Sequence, residues 1–239
     1  MSTEILERIL RQLEVTRTIP STPLRLRERA VDDAVDYILA NPRFENIEVS
    51  IANVEALRAG LRATTFAGVV AEFGVYKGAS LTVIAKHFSD QSVHGFDSFI
   101  GLPESWSGTN KGPGAFSIGG SPPDIPVTNV EFHVGFFDET VPKLAATSSG
   151  PFSFVHLDAD LYSSTKVVFD TLGSWFVPGT VLVFDEYFGN HGWRNHEHRA
   201  FMEFLEQSHL DYEALAIGHM NLAVRLTEPG ERRSGSSGG

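Results

Sequence analysis

Cysteine is absent from the 239 residues. That excludes disulfides, zinc–thiolate centres, iron–sulfur clusters and cysteine nucleophiles. Basic residues are in deficit: 19 Lys and Arg stand against 30 Asp and Glu, a formal net charge of −11. No basic patch breaks this balance, so no nucleic-acid partner is expected. No apolar run approaches the roughly 20 residues that span a bilayer, and the polar, amphipathic start MSTEILERILRQLE lacks the pattern of a signal peptide. The expected setting is cytoplasmic, with no membrane partner. The closing EPGERRSGSSGG shows no apolar periodicity, and 229–239 reads as a flexible tail. What is present is ordinary for a globular chain, 42% apolar and 21% charged, and long enough for one substantial core.

Apolar residues recur at helical spacing in three early segments: Ile5, Ile9, Leu10 and Leu13; then Leu24 through Leu39; then Val54, Leu57 and Leu61. Residues 1–65 therefore read as a helical extension. It is either plain packing at the domain edge, or a cap over a site or a homodimer surface. From 66 to 228 the pattern changes. Short apolar strands are expected at 68–73, 92–97, 129–134, 152–158, 179–185, 212–217 and 220–226. Helical stretches fall at 78–88, 139–146, 162–175 and 196–208. Such alternation specifies an α/β fold, a mainly parallel sheet with helices on both faces. The last two strands are close enough for a hairpin around Gly218-His219, which makes one of them antiparallel.

In sheets of this kind ligands bind beyond the carboxyl ends of the strands, so each end is informative. In AEFGVYKGAS (71–80), Gly74 and Gly78 flank a strand-to-helix turn that lets a ligand approach backbone. The spacing matches neither the G-x-G-x-x-G dinucleotide pattern nor a P-loop. Glu72 would repel a phosphate there but would suit an ammonium group. Asp97 ends the next strand, placed to accept both hydroxyls of a ribose. Together these ends indicate a nucleoside without a phosphate at the turn. S-Adenosylmethionine suits that description better than NAD. In VGFFDETVP (134–142), Phe136 or Phe137 could face a purine and Asp138 could cap a helix. In HLDADLYSST (156–165) and VFDEYFGNHGW (183–193), Asp158, Asp185 and Glu186 gather at what would be neighbouring strand ends. Like charges so close need a proton or a cation between them, and an all-oxygen set suits magnesium. The competing expectation is that Arg194 or Lys166 balances them. His191, His196 and His198 lack regular metal-ligand spacing; one of them acting as a base is the alternative to a metal. Residues 98–128, rich in glycine and proline, form a long loop with Trp106 and Phe116 as apolar anchors, suited to a lid.

The blocks AEFGVYKGAS, HGFDSFIGLPESW, HLDADLYSST and VFDEYFGNHGW resemble the class I S-adenosylmethionine-dependent methyltransferases grouped with macrocin O-methyltransferase, over about 66–226. The resemblance implies a Rossmann-like, seven-stranded sheet with one reversed strand. It implies that Glu72, Gly74 and Ser80 surround the methionine part, that Asp97 binds the ribose and that Phe137 and Asp138 neighbour the adenine. Tyr76, Ser98 and Asp158 complete the expected cofactor set. It implies Mg2+ at Asp158, Asp185 and Glu186, although the family more often has Asp or Asn at the position of Glu186. The activity implied is methyl transfer to a hydroxyl of a small, natural-product-type molecule, with Asp158 as base. Alternatives are a metal-independent methyltransferase acting on a carboxylate, amine or peptide, a nicotinamide-dependent oxidoreductase, or a non-catalytic cofactor-binding protein.

Overall fold

A computed structural model of the chain describes residues 21–148 and 150–230. The helix expected at 2–15 and most of the expected tail lie outside the described residues. Helix α1 (Thr22–Ala40) starts where the Ser21 side chain accepts the Leu24 N–H, with proline in the first turn. A two-residue strand β1 (Glu48–Val49) and helix α2 (Asn53–Ala63) follow. The alternating part runs β2 (Val69–Phe73), α3 (Ala79–His87), β3 (Val93–Asp97), β4 (Val130–Val134), α4 (Phe137–Thr147), β5 (Phe152–Leu157), α5 (Tyr162–Leu172), β6 (Val181–Phe184), α6 (Glu197–Ser208), β7 (Asp211–Ile217) and β8 (Leu222–Thr227).

Among the described residues the sheet has eight strands in the order β1-β7-β8-β6-β5-β2-β3-β4. Only β8 runs antiparallel to its neighbours. The fold is thus the expected mainly parallel α/β sheet with helices around it. The eighth strand is β1, which pairs Glu48 and Val49 with Ala216 and Ile217 of β7. Two exposed residues inside a segment read as helical carry no strand pattern, so this element escapes a periodicity argument.

Strands β5 and β6 are buried along their whole length, as befits a parallel sheet covered on both faces. Each fully buried Phe or Val of these strands contributes roughly 1.5–3 kcal/mol. That reserve is what lets the strand ends carry charged groups that oppose folding. Several side chains of residues 22–63 reach the core. Ala30, Ala34 and Phe44 pack against the face holding Phe184 and Phe201, while Ala56, Leu57 and Leu61 pack on the other face with Val181 and Val183. Helix α2 approaches so closely that a Cβ on Gly60 would lie 2.5 Å from Val183 Cγ2.

The chain leaves β2 for β3 and β4 on one side, then returns to place β5 on the other. The topological switch point therefore lies between the carboxyl ends of β2 and β5, where this fold opens a crevice.

Candidate functional site

A cavity of about 590 Å³ occupies that crevice, a size suited to a cofactor and a small acceptor. Gly74 sets its floor. It has φ +95°, and a Cβ there would sit 1.8 Å from the Asp158 carbonyl oxygen. The Gly74 N–H donates to the Phe96 carbonyl and the Asp158 N–H to the Phe73 carbonyl, which ties three strand ends together.

Asp97 organises the turn. One carboxylate oxygen accepts the N–H groups of Val75 (2.9 Å) and Tyr76 (2.7 Å), and the other accepts that of Phe99 (2.7 Å). Its side chain also borders the cavity. The residue expected to hold a ribose thus spends three lone pairs on the backbone of the turn and keeps the remainder for a ligand. Asp97→Ala should lower adenosylhomocysteine affinity at least tenfold by calorimetry, because charged hydrogen bonds of about 1.5–3 kcal/mol disappear. Unchanged affinity in a folded variant would remove Asp97 from the site.

Of the expected cofactor set, Gly74, Tyr76, Asp97, Ser98, Phe137, Asp138 and Asp158 line the cavity. Glu72 and Ser80 are not among its walls. Glu72 is fully buried, with Oε1 2.8 Å from His156 Nδ1, and the Ser80 side chain also bonds its carboxylate. Burial works against a charged His156, but the hydrogen bond to Glu72 and the charges of Glu72, Asp185 and Asp158 outweigh it and hold the imidazole up at about 9.

Strands β5 and β6 are neighbours, and the register Leu157↔Phe184 sets Asp158 beside Asp185. Carboxylate oxygens of Asp158, Asp185 and Glu186 all lie within 4.8 Å of one another. Burial, then the charge of Asp185, pushes the Asp158 carboxyl well up. Burial and the charges of Asp158 and Asp185 do the same to Glu186, whose buried Oε2 has no partner. The cations expected to balance them are engaged elsewhere. Arg194 forks onto Asp33 of α1 at 2.9 and 3.0 Å, and Lys166 pairs with Asp170 one helical turn along. Nearness in sequence does not place either beside the cluster. His156 is the counter-charge at hand, with Nε2 3.9 Å from Asp185.

Four groups lie outside the expected site set, although Asp160 alternates with Asp158 in HLDADLYSST and could be read as facing the same side. Asp160 also lines the cavity and has φ +60°; burial and the charges of Asp185 and Asp97 push its carboxyl up to about 7. Glu197 opens α6 fully buried, its carboxyl beside the Glu186 backbone. Asn221 donates from Nδ2 to the Asp185 carboxylate at 2.5 Å and to its carbonyl at 3.0 Å. His156 is the fourth. A histidine inside the apolar run FSFVHLD was the only available signal for it; Glu197 and Asn221 depend on contacts distant in sequence.

None of His191, His196 and His198 borders the cavity. His198 is buried, with Nδ1 2.9 Å from the Tyr187 hydroxyl. Residues 98–128 supply walls through Gly101, Leu102, Glu104 and Phe116. Trp106 is buried edge-on to His196, and Glu104 accepts a hydrogen bond from Ser163. The loop is docked on α5 and the segment after β6.

Residues 71–187 match the family model described as a methyltransferase domain. These residues form a methyltransferase domain, and the chain shares the Rossmann-like fold of solved methyltransferases. It is similar to the O-methyltransferase NovP, with a TM-score of 0.59 and 20% identity, over 74% of this chain and 80% of that one. It is also similar to CalS11, calicheamicin methyltransferase, with a TM-score of 0.56 and 22% identity, over 94% of this chain and 93% of that one. An apo structure of CalS11, a TDP-rhamnose 3'-O-methyltransferase, is similar with a TM-score of 0.52 and 22% identity, over 94% of this chain and 95% of that one. No curated protein sequence matches the chain. No helix among the described residues is long and apolar enough to cross a membrane.

Proposed function

We propose that the chain is an S-adenosylmethionine-dependent O-methyltransferase acting on a hydroxyl of a small, natural-product-type molecule in the cytoplasm, with a divalent cation, most naturally Mg2+, held by Asp158, Asp185 and Glu186. The observation that carries this reading is the convergence of three carboxylates at one edge of the cavity whose floor is Gly74 and Asp97. The residues fit such an ion: the donors are all oxygen, Glu186 Oε2 is buried without a partner, and neither Arg194 nor Lys166 neutralises them. NovP is an O-methyltransferase and CalS11 a TDP-rhamnose 3'-O-methyltransferase, which supports a hydroxyl acceptor here.

When bound, the cofactor supplies an electrophilic methyl carbon and the cation supplies Lewis acidity beside the acceptor oxygen. The chain's own share is positioning, dehydration and proton transfer. Gly74 permits close approach of the cofactor to backbone, Asp97 holds the ribose, and Phe137 and Asp138 border the adenine. Asp158, at the end of β5, takes the proton of the acceptor hydroxyl. Asn221 fixes the Asp185 carboxylate, and the docked loop excludes water.

The test is methyl transfer from labelled S-adenosylmethionine to a panel of hydroxyl, amine and carboxylate acceptors. Product should form with hydroxyl acceptors and vanish when the same hydroxyl is already methylated. Transfer only to amines or carboxylates would sink the O-methyltransferase reading. Loop 98–128 should also exchange its amide hydrogens more slowly once adenosylhomocysteine and acceptor are both bound. Identical exchange in free and bound enzyme would make it a passive wall.

A further inference from the structure

We propose that His94, Glu131 and His133 form a second divalent-metal site, of zinc type, at the outer edge of the sheet and independent of the carboxylate cluster. Strand β4 is an edge strand, and among the described residues it pairs only with β3. The parallel register sets His94 opposite Glu131 and Phe96 opposite His133. Because successive side chains alternate faces, Glu131 and His133 share one face, and His94 meets them there.

The three ligand atoms are already gathered. His94 Nδ1 lies 3.0 Å from His133 Nε2, and Glu131 oxygens lie 3.7 and 3.8 Å from those two nitrogens. Donors bound to one tetrahedral ion at zinc–ligand lengths of about 2.0–2.1 Å stand roughly 3.3 Å apart, and the observed separations bracket that value. The rings are held in place: His133 stacks on the buried Phe96 at 4.2 Å with an interplanar angle of 8°. Burial lowers the pKa of both imidazoles, which keeps their lone pairs free near neutral pH.

Donor chemistry separates this site from the other. Two imidazoles and one carboxylate suit zinc and its transition-metal neighbours, whereas three carboxylates suit magnesium. With three protein ligands the fourth position is left to water. None of the three residues lines the cavity. The ion would staple edge strand β4 to β3, just ahead of the turn that carries Phe137 and Asp138. Without zinc, the same atoms form an imidazole–imidazole hydrogen bond, in which one nitrogen must carry a proton.

Calorimetry decides between these states. Zinc is titrated into full-length, metal-stripped protein in saturating Mg2+, which occupies the carboxylate cluster. One zinc per chain should bind. His94→Ala, His133→Ala and Glu131→Gln should each weaken it at least as much as the roughly 10–100-fold lost with outer-shell partners. Asp185→Asn should leave zinc affinity unchanged. Glu131 is 59% exposed, so Glu131→Gln tests the ligand without endangering the core. Zinc should also raise the melting temperature of the wild type and not of Glu131→Gln. Failure to bind zinc, binding that all three variants keep, or binding lost only in Asp185→Asn would each overturn the site.

Discussion

EDTA treatment should lower turnover by roughly two to four orders of magnitude, since a Lewis acid supplies several kcal/mol of transition-state charge stabilisation and each 1.4 kcal/mol is tenfold. Added Mg2+ should restore it. Asp158→Asn and Asp185→Asn should show losses of similar size while adenosylhomocysteine still binds. The physical basis is the crowding at the ends of β5 and β6, where three carboxylates lie within 4.8 Å and charges of one sign disfavour joint ionisation. A second consequence has the opposite sign. In metal-stripped protein the cluster opposes folding, so Asp185→Asn removes repulsion. Its melting temperature without metal should be no lower than that of the wild type, although activity is lost. Asparagine also retains an oxygen that can accept from Asn221, whose Nδ2 now donates to Asp185 at 2.5 Å. Full turnover in EDTA-treated enzyme would refute the metal and leave deprotonation to Asp158 alone.

The strand ends were legible because each is a short apolar run closed by a carboxylate or glycine. VVAEFG, VHGFD, FVHLD and VLVFDE all end where the sheet does, and parallel packing on both faces demands such runs. That pattern sets Asp158 and Asp185 side by side only if β5 and β6 are neighbours, and the register Leu157↔Phe184 makes them so. What stayed hidden depends on partners far along the chain. His156 meets Glu72 across 84 positions, Asn221 meets Asp185 across 36, and Asp33 takes Arg194 from 161 positions away. The same blindness made Arg194 look like a counter-charge for the cluster, because it lies only a few residues beyond Glu186. Trp106 was visible as an anchor, but not its seat against His196.

Gly74→Ala should be far more damaging than Gly119→Ala, although the two glycines have nearly the same φ. Gly74 has φ +95° and Gly119 has φ +92°. An L-residue in that region costs about 1–2 kcal/mol at either site. The surroundings differ. A Cβ on Gly119 meets nothing within 4 Å, whereas a Cβ on Gly74 would lie 1.8 Å from the Asp158 carbonyl oxygen. That oxygen belongs to backbone at the end of β5, so no rotamer change relieves the clash and β2 must part from β5. Overpacking of this kind adds roughly 1–3 kcal/mol or more, against a total stability of about 5–15 kcal/mol. In urea denaturation Gly119→Ala should therefore lose about 1–2 kcal/mol and keep adenosylhomocysteine affinity. Gly74→Ala should lose at least about twice as much and bind adenosylhomocysteine poorly, because the same displacement shifts Asp158 and the turn held by Asp97. Equal losses in the two variants would mean that backbone conformation alone, and not the approach of β2 to β5, fixes glycine at position 74.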